Sequence, residues 1–261
     1  HRAFLNKIFS LYSHVNVLQV DICPSMSKFE SEIVSITDKI LNCEAVKKHN
    51  PEHQVCVTVT FGGSESIMMA MKVYRDRARE ELGITTPEII IPHTAHPAFD
   101  KASEYFGIKV VHIPVSEPDY RVDPQAVAAA INENTAAFLV EPIQGEGGIV
   151  VPPEGYLRAA AELCRKHNVL LIADEIQTGL GRTGRMLACE HEGVKPDGLI
   201  LGKALGGGIF PVSMFLSRKG VMDVFSPGDH GSTFGGNPLG AAIGLEALNV
   251  LVEERLPQRS A

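Results

Sequence analysis

Short, continuous runs of apolar residues recur along the chain and alternate with segments of helical period. Most runs are apolar at nearly every position, which is typical of strands buried on both faces of a sheet. Between the first two runs, Ile67, Met71, Tyr74, Ala78 and Leu82 follow one another at steps of three or four, which predicts an amphipathic helix. The runs cover residues 55–60, 88–92, 109–114, 136–141, 169–174, 198–202 and 211–216. This alternation predicts an α/β fold with a mainly parallel sheet flanked by helices.

Further helices are predicted on both sides of this region. Phe29, Ile33, Ile36 and Ile40 form an apolar stripe ahead of the first strand, and residues 239–251 form a helix after the last one. We therefore expect three segments: an N-terminal helical extension (1–54), an α/β domain (55–238) and a C-terminal helix (239–261).

Composition indicates a soluble, globular protein that acts on small molecules. Of the 261 residues, 44% are hydrophobic, which is enough for a large core. Acidic residues outnumber basic ones by 31 to 24, so no positive field attracts nucleic acid or anionic lipid. No apolar run approaches the roughly 20 residues that span a bilayer. The five cysteines show no CxxC pairs, which favours a reducing compartment, either the cytoplasm or an organelle matrix.

Two charged residues follow successive buried strands. Asp174 ends the run 169–174, and Lys203 comes directly after the run 198–202. Ligands of open parallel sheets bind outside the carboxyl ends of the strands, so both side chains are expected at one site. A carboxylate that keeps a pyridine ring protonated and a lysine that condenses with its aldehyde are the groups that pyridoxal phosphate requires. For each residue alone, the alternative is an ordinary strand end, with Asp174 as a helix N-cap.

In this interpretation Lys203 has two roles. It forms a Schiff base with the cofactor, and after the substrate amine displaces it, it acts as the general acid–base that moves a proton on the substrate carbon. Gln177, about one helical turn after Asp174, can donate a hydrogen bond to the phenolic oxygen of the ring.

Two glycine-rich segments are candidates for binding the cofactor phosphate. Gly63 and Ser64 lie between the first strand and the next helix, where the free N–H groups of a first helical turn bind anions. The alternative is an ordinary turn with a serine N-cap. Thr233 lies in a second such loop before the last helix and is a candidate for another phosphate contact. A capping turn is the alternative there.

His96 and Glu146 complete the set of candidates. His96 follows the second run and is placed to stack on a ring held at this edge of the sheet. It could instead be a structural or solvated histidine, or a metal ligand with His93, although no third ligand accompanies that pair. Glu146, after the fourth run, has a tentative substrate-side role, with a solvated loop as the alternative.

The second half of the chain carries four specific motifs. They are FLVEPIQGEGG at 138–148, LLIADEIQTGLGRTG at 170–184, LILGKALGGG at 199–208 and STFGGNPLG at 232–240. With them, residues from about 134 to 254 resemble the class III aminotransferases, especially the ornithine aminotransferases. The resemblance implies Asp174 at the ring nitrogen, Gln177 at the phenolic oxygen and Lys203 as the Schiff-base lysine. It also implies a homodimer in which Thr233 reaches the phosphate of the neighbouring subunit.

The first half carries motifs of a different kind. They are FESEIVSITDKIL at 29–41, TFGGSESIMMAMKVYRDRA at 60–78 and PEIIIPHTAHPAFDKASEYFGIKVV at 87–111. With them, residues up to about 128 resemble the sphingosine-1-phosphate lyases and related group II decarboxylases. This similarity implies that Gly63 and Ser64 hold the phosphate and that His96 stacks on the ring. The characteristic His-Lys pair of the lyases is absent from this sequence.

Both families share the large domain of fold-type I pyridoxal phosphate enzymes, so the chain resembles a chimera joined near residues 125–137. The chain begins at His1 without a methionine, so it is expected to be a fragment or an engineered piece. By the resemblance, the small C-terminal domain is missing, and with it the arginine that works with the glutamate matching Glu146. The function expected first is transfer of an amino group from an ornithine-like amino acid to a 2-oxo acid. The alternatives are carbon–carbon lysis or decarboxylation, and a cofactor-binding scaffold with little turnover.

Overall fold

The computed structural model describes residues 6–7, 10–11, 24–41, 48, 54–117, 121–226, 229–232 and 234–261. Most of the predicted connection 47–54 lies outside these ranges. The strands within them are β1 (Val55–Thr60), β2 (Glu88–Pro92), β3 (Lys109–Ile113), β4 (Val115–Ser116), β5 (Arg121–Val122), β6 (Thr135–Val140), β7 (Leu170–Glu175), β8 (Gly198–Leu201) and β9 (Ser213–Arg218). Each of the seven predicted runs overlaps one of these strands.

Helices connect and flank the strands. They are α1 (Pro24–Ile40), α2 (Gly63–Leu82), α3 (Ala98–Phe106), α4 (Pro124–Ala130), α5 (Tyr156–Lys166), α6 (Lys219–Met222), α7 (Pro238–Glu253) and α8 (Leu256–Arg259). Short 3-10 helices cover Ala188–Glu192 and Lys203–Gly206. The prediction of an α/β fold with helices around a mainly parallel sheet is confirmed.

The main sheet has the strand order β1-β9-β8-β7-β6-β2-β3. Strands β3, β2, β6, β7 and β8 pair in parallel, whereas β9 is antiparallel to both of its neighbours, β8 and β1. Strands β4 and β5 form a separate antiparallel pair. Six of the seven sheet strands therefore point the same way, and their carboxyl ends meet at one rim of the sheet.

The first and second halves of the chain interleave in this sheet. The central strands β6 to β9 come from the second half, while β1 lies at one edge and β2 and β3 at the other. Thr60 pairs with Ser213 at one junction, and Ile90 pairs with Phe138 at the other. Neither half can therefore form the seven-stranded sheet alone.

The core lies on both faces of the sheet because successive residues of a strand point to opposite sides. In β2, Ile89 and Ile91 pack into the cluster formed with α2 and α3. Ile90 packs on the other face, in a cluster that includes Ile33 of α1 and Leu248 of α7. Each isoleucine is at most 2% exposed, so each burial contributes about 1.5–3 kcal/mol.

Helix α2 begins immediately after a turn that glycine permits. Gly62 has φ 112°, a backbone conformation that side chains with a Cβ rarely adopt, and α2 starts at the next residue. The helix ends at Gly83, which is in the left-handed conformation. The predicted apolar stripe is buried as far as Ala78, but Leu82 in the last turn is 40% exposed. The turn at Gly62 places the amino end of α2 above the rim of the sheet.

Candidate active site

A cavity of about 250 Å³ lies at the carboxyl-end rim of the sheet. Adjacent parallel strands β7 and β8 end there, and they deliver Asp174 and Lys203 to the same cavity. The residues predicted from the sequence that line it are Gly63, Ser64, His96, Glu146, Asp174, Gln177 and Lys203. The structure thus brings these residues together; their roles stay predictions.

Thr233, the remaining predicted site residue, lies outside the described residues. Its neighbour Ser232 accepts a hydrogen bond from the Gly235 N–H at 2.9 Å. Asn237 caps α7, because its side-chain oxygen accepts a hydrogen bond from the Gly240 N–H at 2.8 Å. In this loop, the side chains of Ser232 and Asn237 therefore act as caps for backbone N–H groups.

Asp174 is a buried carboxyl group that makes no ion pair with another described residue. It is 5% exposed, and its Oδ1 accepts one hydrogen bond, from the Ile176 N–H at 3.1 Å. Burial raises the pKa of Asp174 to about 7; the Ile176 N–H lowers it, and the nearby carboxyl of Glu141 raises it further. Among the described residues, no basic side chain lies within 4.0 Å of this carboxylate. A carboxyl so placed fits a ligand that brings a positive charge, such as a protonated ring nitrogen.

Lys203 has a strained backbone at the mouth of the cavity. Its φ of 40° lies in the left-handed region, which is uncommon for residues other than glycine and costs on the order of 1 kcal/mol or more. The side chain is half exposed, and Nζ lies 3.4 Å from Oε1 of Glu146. Strain of this kind persists only where the surrounding structure imposes it, and Lys203 is one of the residues that line the cavity.

Glu146 contacts two side chains that the sequence assigns to neighbouring positions of the cofactor ring, Gln177 to the phenolic oxygen and Lys203 to the aldehyde. Its Oε1 accepts a hydrogen bond from Nε2 of Gln177 at 3.1 Å and is also the oxygen nearest to Lys203. The approach of the two loops requires Gly145, where an added Cβ would lie 2.5 Å from the Gln177 amide. The carboxylate therefore holds the Gln177 and Lys203 side chains next to each other.

Glu141 also lines the cavity, and the sequence interpretation gave it no role. It follows β6 directly, and its Oε2 accepts a hydrogen bond from the Gly145 N–H at 2.8 Å. Burial raises the pKa of Glu141 above its ordinary value. Because β6 is the neighbour of β7, the strand-end rule that selected Asp174 could have selected this residue as well.

The amino end of α2 forms the opposite wall of the cavity. The N–H groups of the first helical turn have no intrahelical acceptors, so those of Gly63 and Ser64 are available to an anion. An added Cβ at Gly63 would lie 2.6 Å from Cδ1 of Ile176, so glycine lets α2 approach the turn after β7. Ser64 lies inside the helix, and Gly62 is the N-cap, which excludes the alternative of a serine N-cap.

The two histidines of the H-x-x-H segment lie in different surroundings. His96 lines the cavity, and its Nδ1 accepts a hydrogen bond from the Ala98 N–H at 3.1 Å, which fixes the imidazole at the start of α3. The His93 ring stacks on His112 with ring centroids 5.0 Å apart. Within the described part of the chain, no group of three metal-ligating side chains is found.

Comparison with family models gives two overlapping matches. The model of the class III aminotransferases matches residues 120–261. The model of the DegT/DnrJ/EryC1/StrS aminotransferase family matches residues 29–186. The first match covers the segment in which the class III motifs were found.

Curated relatives match about half of the chain. Ornithine aminotransferase 2 of Staphylococcus aureus (strain Mu50 / ATCC 700699) is 66% identical over 138 residues, which are 53% of this chain and 35% of the relative. Ornithine aminotransferase of Exiguobacterium sp. (strain ATCC BAA-1283 / AT1b) is 60% identical over 147 residues, 55% of this chain and 37% of that protein. The chain spans about a third of the length of these curated relatives.

Solved structures resemble a larger part of the chain. One is an ornithine aminotransferase of Toxoplasma gondii, described with partial occupancy of pyridoxal phosphate at its active site. It has a TM-score of 0.70 and 42% identity to this chain, and the match covers 83% of this chain and 53% of the Toxoplasma chain. Sphingosine-1-phosphate lyase of Burkholderia pseudomallei K96243 has a TM-score of 0.81 and 31% identity over 100% of this chain and 62% of its own. Both resemblances inferred from the sequence are confirmed. The chain belongs to the class III aminotransferase family, has the fold-type I architecture, and its cofactor is pyridoxal phosphate.

Proposed function

We propose that this chain is the cofactor-binding core of an aminotransferase that moves an amino group from an ornithine-like amino acid to a 2-oxo acid. The observation that carries the proposal is the convergence of Asp174 and Lys203 on one cavity, opposite the amino end of α2. The names of the curated relatives support the substrate class.

The cavity offers a partner for each part of the cofactor. When bound, pyridoxal phosphate supplies a ring that accepts electron density from the substrate carbon. The Asp174 carboxylate would pair with the ring nitrogen, which satisfies a charge that is otherwise buried alone. Gly63 and Ser64 would hold the phosphate, His96 would lie on the ring, and Gln177 would donate a hydrogen bond to the phenolic oxygen.

Lys203 would attach the cofactor and then move a proton at the substrate carbon. Before the amine can attack, it must leave Oε1 of Glu146, 3.4 Å away. That ion pair is half exposed, so breaking it costs less than about 1 kcal/mol. Glu146 lines the cavity and its side chain is 63% exposed, which supports its substrate-side role.

The assembly and the compartment are further parts of this proposal. A homodimer in which Thr233 reaches the phosphate of the neighbouring subunit is the arrangement that the family resemblance implies, and light scattering on the purified chain tests it. No helix in the described ranges is long and apolar enough to cross a membrane. A reducing compartment is supported by the free thiols of Cys56, Cys164 and Cys189.

The test compares the parent with Lys203→Ala. We expect borohydride reduction with cofactor to fix one pyridoxyl group to the parent at residue 203, seen by mass spectrometry, and none to the variant. Loss of the general acid–base should lower turnover by about 10²–10⁴-fold. Equal labelling of both proteins, or labelling at another lysine, refutes the assignment of Lys203.

Product analysis separates the rival functions. Amino transfer that depends on a 2-oxo acid supports the aminotransferase. Release of an aldehyde or carbon dioxide supports a lyase, whose fold is similar (TM-score 0.81) but whose characteristic His-Lys pair is absent from this sequence. A parent that is labelled by the cofactor but forms neither product is a binding scaffold with little turnover.

A further inference from the structure

Three buried hydroxyl groups form a closed triangle beneath the cavity. Thr60 Oγ1 lies 2.6 Å from Ser66 Oγ and 2.6 Å from Ser213 Oγ, and the two serine oxygens are 2.8 Å apart. The three residues are between 0% and 2% exposed. They come from β1, α2 and β9, so the triangle joins both halves of the chain at a junction of the sheet.

The triangle can use the one donor of each hydroxyl, and Thr60 Oγ1 also lies 3.5 Å from the carbonyl oxygen of Gly62. Each hydroxyl has one donor and can accept from a neighbour, so three hydroxyls arranged in a ring can each donate once and accept once. Apolar side chains of the same shape would fill this space at little or no cost in stability. What the hydroxyls add over methyl groups is direction, because hydrogen bonds fix the distance and orientation between three backbone segments.

The position of the triangle relates it to the phosphate end of the cavity. The five residues between Thr60 and Ser66 include the turn Gly62 to Ser64, so the Thr60–Ser66 hydrogen bond closes the base of that turn. Pro211 and Val212, which line the cavity from the other side, lead directly into Ser213. The triangle therefore ties the two walls together at the place where α2 begins.

We propose that Thr60, Ser66 and Ser213 are positioning residues that hold the amino end of α2 in register with β9, so that its N–H groups fit a phosphate monoester. This rests on the proposed function, in which that helix end binds the cofactor phosphate. The hydroxyls do not touch the ligand, and they act through the backbone of Gly63 and Ser64.

The experiment uses two variants of one residue in the full chain. Thr60→Val keeps the shape and removes the hydroxyl, whereas Thr60→Ser keeps the hydroxyl and removes a methyl group. The dissociation constants of pyridoxal phosphate and of pyridoxal, which has no phosphate, are measured for each protein, together with its thermal unfolding. The ratio of the two constants reports the phosphate site separately from the ring site.

We expect Thr60→Val to weaken pyridoxal phosphate binding about tenfold and to change pyridoxal binding less than about twofold, since only the phosphate donors lose their alignment. Thr60→Ser should keep the parent ratio. Thr37→Val is the matched control, because Thr37 is 3% exposed, contacts Met214 Sδ and does not line the cavity. It should leave both constants unchanged.

The results that overturn the inference are specific. A Thr60→Val protein that unfolds at a lower temperature but keeps the parent ratio shows that the triangle only stabilises the fold. If Thr60→Val does not fold, Ser213→Ala gives the same comparison from β9, and failure of both to fold likewise makes the role purely structural. A parent that binds neither compound refutes the proposed function itself, whereas an unchanged ratio in a binding-competent variant refutes only the positioning role.

Discussion

The two halves of the chain contribute different things to one site. The first half provides the edges of the sheet and, around the cavity, the amino end of α2 and His96, all suited to binding. The second half provides the centre of the sheet and the ionisable groups Asp174, Lys203 and Glu146. The predicted cofactor contacts come from both halves, since Gln177 lines the same cavity as Ser64 and His96. The predicted reacting lysine, Lys203, comes from the second half. Because the strands interleave, the two halves do not form separate folding units.

Two buried carboxyl groups, one from each half, differ in their partners and in the direction of their pKa shifts. Glu88 in β2 accepts hydrogen bonds from Asn132 Nδ2 at 2.9 Å and Lys109 Nζ at 2.7 Å, and these partners, Asn132 first, lower its pKa. Asp174 in β7 has a single backbone donor, and its pKa is raised. Glu88 is thus paired with side chains of the protein, whereas Asp174 makes no ion pair with another described residue.

The largest expected effect is on the pH dependence of stability. The ordinary pKa of Asp174 is 3.8, and burial raises it to about 7 in the folded chain. The folded state therefore keeps a proton that the unfolded state loses between these pH values, so this group's stabilisation is complete below pH 4 and is lost as the pH rises through about 7. Between pH 4 and pH 8, the free energy of unfolding of the cofactor-free parent should fall by on the order of 4 kcal/mol more than that of Asp174→Asn. Urea unfolding at each pH measures this difference.

Glu88→Gln is the control from the first half, and the contribution of Glu88 to stability should change with pH in the opposite direction. Because the pKa of Glu88 is lowered, its stabilisation is present above the unfolded pKa and is lost as the pH falls through the folded value. A plot of the free energy of unfolding against pH should therefore differ in slope between Glu88→Gln and the parent only at acidic pH. Parallel curves for the parent and Asp174→Asn would remove the distinction between the two carboxyl groups.

The next largest effect tests the junction between the halves. Ile90 is fully buried in β2 and pairs with Phe138 of β6, so Ile90→Ala should reduce the free energy of unfolding by about 3 kcal/mol. Unfolding should remain one cooperative transition for hydrogen exchange probes in both halves. Tyr105→Ala, at a side chain 63% exposed, should change stability by less than about 0.5 kcal/mol. Separate transitions for the halves would contradict the interleaved sheet as a single unit.

A smaller effect tests the phosphate contact that Ser64 of the first half would provide. Ser64→Ala should raise the dissociation constant of pyridoxal phosphate about fivefold, which corresponds to one lost hydrogen bond of about 1 kcal/mol. The rate at saturating cofactor should stay within about twofold, because the serine is not assigned a reacting group. Ser103→Ala, at a serine of α3 outside the cavity, is the control for both measurements. A fall in the saturated rate with unchanged affinity would move Ser64 into the reacting set.

The smallest effect concerns Glu146. Its ion pair with Lys203 has side chains 63% and 52% exposed, and such pairs contribute less than about 1 kcal/mol. Glu146→Gln should therefore speed covalent capture of the cofactor by no more than about threefold, and the difference should disappear at about 1 M salt. Stopped-flow absorbance measures this rate, with the exposed Glu154→Gln as the control. A change of a hundredfold would show that this pair controls access to Lys203.

Much of the fold could be predicted from the sequence because full burial leaves a simple pattern. Runs such as Ile89 to Ile91 have no polar positions, so their strand character is evident without a partner. The direction of β9 could not be predicted in this way. Met214, Phe215 and Leu216 are as apolar as any parallel strand, and their direction follows from pairing with β1, which is distant in sequence.

The site could be predicted in part for a similar reason. Asp174 and Lys203 are polar residues at the ends of apolar runs, where the contrast is easily seen. Thr60 and Ser213 were not recognised, because a hydroxyl within a strand is common and reveals its role only once its neighbours are known. The triangle is a product of tertiary structure, so a single sequence gives no local signal for it.

The distance along the chain between β1 and β9 has a consequence for synthesis. Thr60 and Ser213 are 153 residues apart. At a translation rate of about 5–20 residues per second, the ribosome needs roughly 8–30 s to produce the partner of β1. Throughout that interval the nascent chain displays a strand with unpaired backbone groups, which is a known template for misassembly. Protection of this segment by a chaperone should therefore matter more for the yield of native protein than protection of β6 and β7, which emerge close together.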